Sequence, residues 1–178
     1  CSSDLPLVLI DWIENSNKQR QLQVEQGDFT VTQLLSNPKE QYLLSRNPDI
    51  EVDASQFISV LSGEAWHTGI AANSTNRRFN GALVEKRFSI KYHGWKITGQ
   101  PDVIDGDYLM DYKESTVGRF AKGVPQEYEN QLNFYHYILS SNGKHPKFMG
   151  IWVKYKDYMP SRAGTNHYPD AAMQYFPV

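Results

Sequence analysis

The sequence predicts a single α/β domain with a mixed central β-sheet and helices on its faces. Three observations carry that expectation. Three strand-like runs, Leu83 to Tyr92, Trp95 to Ile104 and Asp107 to Glu114, are separated by the turn pairs His93-Gly94 and Asp105-Gly106. Apolar residues at helical spacing precede them (Phe57, Val60, Leu61, Ala65) and follow them (Tyr128, Leu132, Tyr135, Leu139). A further strand, Lys147 to Tyr155, returns after the second helix, which implies a right-handed crossover. At 178 residues the chain is long enough for one domain with a proper core.

The elements follow in order. Leu5 to about Gln26 reads as a helix, apolar first and glutamine-rich later, forming an arm (1–28) outside a core (30–155). Thr32 is the expected N-cap of a helix through about Ser45, ended by Asn47-Pro48. Asp53 or Ser55 caps the next helix, whose last turns carry His67, and the polar stretch Asn73 to Asn80 with Arg77 and Arg78 reads as a loop. After the three strands, Thr116 to Val124 is a loop holding Arg119 and Lys122. Pro125 suits the first turn of a helix to about Ser141, with Gly143 beyond its end. The last 20 residues hold three of the nine prolines and little periodicity, so 156–178 reads as an irregular tail.

Composition narrows the function classes. The net charge of −2 gives no global basic character, so any nucleic-acid field must come from local clusters. Aromatic content is 13%, with 11 tyrosines, which suits base stacking and a sheet core equally. The single cysteine, Cys1, excludes a disulfide framework within the chain and points to a reducing, cytoplasmic setting. No apolar run reaches the roughly 18 residues of a membrane span, and no basic flank precedes Leu5 as in a signal peptide. A first residue of Cys rather than Met leads us to expect residues before it.

The chemistry concentrates in Gln100-Pro101-Asp102 and Met110-Asp111-Tyr112-Lys113. Residues two apart in a strand share a face, so Asp111 and Lys113 point the same way, about 7 Å apart in rise. A turn at Asp105-Gly106 makes Asp102 and Asp111 diagonal neighbours; a turn at Gly106-Asp107 sets them directly opposite. In either register their β-carbons lie within roughly 5–8 Å. Two such carboxylates repel unless a cation sits between them, and their hard oxygens favour magnesium or manganese. A metal there lowers the pKa of bound water and neutralises charge on a phosphate, while Lys113 orients the water or stabilises the transition state.

Several segments in order resemble the PD-(D/E)XK nuclease superfamily, in particular its RecB-like exonuclease branch. They are Gly63-Glu64-Ala65-Trp66-His67, Glu85, Ile97-Thr98-Gly99-Gln100-Pro101-Asp102, Asp111-Tyr112-Lys113, and Gln131 with Tyr135. Thr30 to Pro38 resembles the opening helix of that branch, with Asn37 in place of its cysteine. The resemblance runs from about Thr30 to Tyr155. It implies a restriction-endonuclease-like core and a metal held by Asp102, Asp111, His67 and the Tyr112 carbonyl. Lys113 is then catalytic, with Gln131 and Tyr135 on one helix face beside it. Glu64 is an alternative ligand, and Glu85 either pairs with Lys113 or holds a second metal. The lone cysteine excludes the iron–sulfur cluster of some members, and some relatives form homo-oligomeric rings that thread DNA.

Arg77, Arg78, Lys91, Arg119, Lys122, Lys154 and Lys156 are the candidate phosphate contacts. No Gly-rich phosphate loop supports an ATPase. The expected function is metal-dependent cleavage of linear DNA from its ends, in recombination, repair or phage DNA processing. The alternatives are a non-catalytic DNA-end or replication-partner module on the same fold, and a structure-specific endonuclease.

Overall fold

The computed structural model describes residues 28–47, 58–73, 81–165 and 168–178, together with Asp11. The expected arm, the Asp53 or Ser55 cap and the Arg77-Arg78 loop lie outside these residues, apart from Asp11 and Asp28 of the arm. The chain enters through β1 (Phe29–Thr30), α1 (Val31–Leu35) and α2 (Pro38–Arg46). The cap is Thr30 rather than Thr32. Its hydroxyl accepts from the Gln33 N–H, and the Gln33 side chain returns to the Thr30 N–H, a reciprocal capping box. The expected single helix is two, because Asn37 precedes a proline and Pro38 can start a helix but not continue one.

α3 (Ile58–Asn73) carries His67. Beyond it, two of the expected strands each break in the middle. Leu83 to Tyr92 divides into β2 (Leu83–Val84) and β3 (Phe88–Tyr92) at Glu85, which takes a left-handed φ of 48°. Trp95 to Ile104 divides into β4 (Trp95–Gly99) and β5 (Val103–Asp105) at Gln100-Pro101-Asp102, where Pro101 has no N–H for a ladder. The two breaks lie side by side: the Glu85 N–H donates to the Asp102 carbonyl at 2.9 Å, and Arg87 donates to the Gln100 side chain at 2.7 Å. Among the described residues the result is two mixed sheets in place of one, ordered β1-β4-β3 and β2-β5-β6-β7-β8.

Two tight turns set the strand registers. His93 (φ 47°) and Gly94 (φ 87°) both take positive φ between β3 and β4, as a type I′ turn requires. β5 pairs antiparallel with β6 (Tyr108–Ser115) with Asp105 opposite Tyr108. The turn is therefore Gly106-Asp107, with positive φ at Gly106 and not at Asp107, the pattern of a type II′ hairpin. After the short α4 (Val117–Phe120), helix α5 (Gln126–Ser141) crosses to β7 (Phe148–Tyr155), which lies parallel to β6. The tail is not wholly irregular. After a single 3₁₀ turn (Pro160–Arg162), β8 (Met173–Pro177) adds an antiparallel edge to β7, a place where a proline is tolerated.

α5 packs against α1 and against strands of both sheets, and its Leu132, Ile138 and Leu139 are buried with Leu109, Ile151 and Val153. Among the described residues no helix is long and apolar enough to cross a membrane. Gly99, the last residue of β4, lets α5 come close. A β-carbon there would lie 3.0 Å from side-chain carbons of both Tyr135 and Ile138. Gly99→Val should therefore destabilise the fold by about 1–3 kcal/mol, the usual penalty of overpacking, measured by urea denaturation.

Candidate active site

The strand breaks create the site. With Asp105 opposite Tyr108, Ile104 faces Leu109 and Val103 faces Met110, so Asp102 stands one step further, beside Asp111. It has left the ladder by then, in the bend where the two sheets part. Its Oδ2 accepts the Tyr112 backbone N–H at 2.7 Å, which ties the free end of β5 to β6. Its Oδ1 lies 3.2 Å from Nδ1 of His67, brought over by α3.

Asp111 sits on a central strand of the five-stranded sheet and is 3% exposed. Its Oδ2 is 2.7 Å from the Lys113 ammonium, which shares its strand face. Lys113 also donates to Gln131 Oε1 at 3.0 Å, and Gln131 Nε2 donates to the Tyr135 hydroxyl at 2.9 Å. Gln131 and Tyr135 lie one turn apart on α5, so the helix offers them as a unit. Tyr135 belongs to the core as well as to this chain of bonds. Sequence reasoning places Tyr128 in the helix stripe and gives it no role at the site. Its ring lies 5.1 Å below the Lys113 ammonium and 5.3 Å from the Arg119 guanidinium. Its place one turn before Gln131 was the available signal.

The electrostatics follow from burial. Burial pushes the Asp111 carboxyl up to about 6, against the pull of Lys113 and with the Asp102 charge adding to the rise. For Lys113, burial works against its charge, but Asp111 and Asp102 outweigh it and hold the ammonium above its ordinary value. His67 is raised, chiefly by its hydrogen bond to Asp102, with burial opposing. Burial pushes the Tyr135 phenol up to about 12, so it serves as a neutral hydrogen-bonding group.

The charges that dominate His67 and Asp111 are those of each other, Asp102 and Lys113; Glu64 and Glu85 are not among them. Glu85 meets the site through its backbone instead. Among the candidate phosphate contacts, Arg119 pairs with Glu127 beside Tyr128. Lys154 pairs with Glu114 at 2.8 Å, Lys122 and Lys156 are exposed, and Lys91 stands on β3 in the other sheet. Arg77 and Arg78 lie outside the described residues.

Among the described residues no three His, Cys, Asp or Glu side chains form a ready cage for an ion. Each acid is instead engaged internally, Asp111 by Lys113 and Asp102 by His67 and Tyr112. The donor chemistry nevertheless fits a hard divalent cation. Two adjacent carboxylates supply the oxygens that magnesium or manganese take, and an imidazole suits manganese better. Asp102 and Asp111 would hold such an ion, with His67 and the Tyr112 carbonyl as further donors.

No protein-family model matches the chain, and a search of curated proteins finds no match. Among solved structures, it is similar to the crystal structure of SSO0001, with a TM-score of 0.55 and 22% identity. The likeness covers 83% of this chain, which spans 65% of the length of that one. At that identity the likeness speaks for the fold alone: an α/β chain with mixed sheets flanked by helices.

A pH dependence follows from Asp111 and His67. Both bind protons more tightly folded than unfolded, so both favour the metal-free fold most at low pH. Stability from Asp111 should be full below its ordinary value of 3.8 and be lost as pH rises through about 6. Urea titrations of metal-free protein should show that decline, and Asp111→Asn should flatten it. A manganese ion held by Asp111 would compete with the proton there, so its affinity by calorimetry would rise across the same interval.

Proposed function

We propose that this chain is a divalent-metal-dependent deoxyribonuclease of the RecB-like PD-(D/E)XK type, acting as an exonuclease on linear DNA in recombination, repair or phage DNA processing. The observation that carries the reading is the Lys113 ammonium shared between Asp111 and Gln131, next to a second acid at the parting of two sheets. A structural salt bridge needs neither Asp102 nor a half-buried glutamine to complete it. The motif resemblance of the sequence supports the same reading independently of the geometry.

A divalent ion bound between the acids would supply an activated water and neutralise charge on the phosphate. The residues do the rest. Asp102 and Asp111 give the site its negative charge, held on rigid backbone by Tyr112 N–H and by β6. Lys113 presents a positive charge where charge develops on the phosphate, and it enters the reaction already oriented. Gln131 sets that orientation and Tyr135 sets Gln131. Arg119, which shares the Tyr128 ring with Lys113, is a candidate for gripping the phosphate backbone.

End-labelled linear DNA should be degraded with magnesium or manganese and left intact in EDTA; full activity in EDTA would sink the proposal. Asp102→Asn and Asp111→Asn should abolish cleavage while the protein stays folded. Lys113→Ala should lower turnover by about 10²-fold or more and leave DNA affinity little changed, the signature of a group acting in the transition state. Phosphate-directed binding should weaken steeply with salt. Linear DNA of arbitrary sequence should be consumed while covalently closed circles survive, as seen by gel; discrete fragments from a closed circle would point to an endonuclease.

A further inference from the structure

We infer that Glu114 is a positioning residue for His67, the clasp that seats α3 on the sheet at the rotation the site needs; as far as this concerns catalysis, it rests on the nuclease reading above. β6 alternates. Lys113 faces α5 and Gln131, whereas Glu114 is the next residue and faces the opposite way. Directly across the parallel register from Glu114 stands Lys154, with its ammonium 2.8 Å from Glu114 Oε1. The Ser62 hydroxyl bonds to the same carboxylate. The Lys154 ammonium also lies 5.1 Å over the Trp66 ring.

Ser62 and Trp66 are four apart on α3 and so share one helix face. A single carboxylate therefore grips two successive turns of α3, directly at Ser62 and through Lys154 at Trp66. The Trp66 indole N–H is buried with no partner among the described residues, so the ring is held by its face and not by its nitrogen. His67 is the next residue, and its Nδ1 reaches Asp102 at 3.2 Å. α3 packs chiefly on β6, with Leu61 buried beside Ser62. The Glu114 side chain is 9% exposed. With the Lys154 end of the pair open to water, the pair adds little net stability, whereas fixing a register is the best-attested use of such an inward-facing charge.

The clasp and the metal site are separable by experiment. In metal-free protein, the His67 imidazole resonance should move on Asp102→Asn, because the two side chains touch. In a Glu114→Gln or Lys154→Met background most of that response should vanish. Lys154 is 41% exposed, so its variant stands in if Glu114→Gln does not fold. Manganese affinity should fall roughly 10-fold or more in either variant, as for residues behind a metal ligand, with no further loss on adding His67→Ala. A folded variant in which His67 responds to Asp102→Asn as in the parent, or an affinity loss that adds to that of His67→Ala, overturns the inference. If the parent binds no manganese, the nuclease reading fails, and the resonance measurement alone decides the role of Glu114.

Discussion

The arrangement turns on one buried carboxylate. Asp111 lies on a central strand, 3% exposed, where an unpaired charge is not sustainable. Its own strand supplies the cation: Lys113 is two residues on, on the same face, and reaches it at 2.7 Å. Burying one charge against another leaves further donors and acceptors to satisfy, and each satisfied group recruits another element. Lys113 takes Gln131, Gln131 takes Tyr135, and through Tyr135 the chain of bonds ends in the core. Helix α5 must then lie close to β4, which Gly99 permits.

The second acid comes from a different constraint. Asp102 sits beside Asp111 because the β5–β6 turn falls on Gly106-Asp107, and it is accessible to α3 because Pro101 ends the ladder. The site is thus where one hairpin, β3–β4, leaves the five-stranded sheet. On the proposed reading, the internal pairs are the metal-free form of a catalytic centre. Asp102 and Asp111 would hold an ion that relieves Lys113 of its role for Asp111, and the ammonium, held by Gln131, would be left for the phosphate. The same contact keeps the acid tolerable without metal and would leave the lysine placed with it.

Much of this was readable in the sequence, because the signals were local. The His93-Gly94 turn, the limits of α5 and the sharing of a face by Asp111 and Lys113 all follow from turn chemistry, capping and alternation. The breaks at Glu85 and Pro101 were missed because strand-like apolar residues resume beyond the polar steps Glu85-Lys86-Arg87 and Gln100-Pro101-Asp102: Val84 and Phe88, then Ile97 and Val103, serve two sheets and not one. β8 was missed because an edge strand rests on pairing to β7 more than on its own pattern, and its Pro177 reads as a breaker. The cap expected at Thr32 falls at Thr30 because the Gln33 side chain, three residues after Thr30, completes a capping box there. The partners of Lys113 on α5 and of Glu114 on β7 and α3 are long-range contacts, which spacing within one element does not report.

On the proposed reading, Asp102 and Asp111 form a binding site for a divalent ion and Lys113 gives way to it. Anomalous diffraction from crystals grown with manganese tests this directly. The account predicts a peak within about 2.1 Å of an oxygen of each carboxylate, the usual bond length for a small hard divalent ion, with the Lys113 ammonium moved off Asp111 Oδ2 and still bonded to Gln131. A crystal with manganese bound elsewhere, or not at all, and with the Asp111–Lys113 contact still closed at 2.7 Å would contradict it.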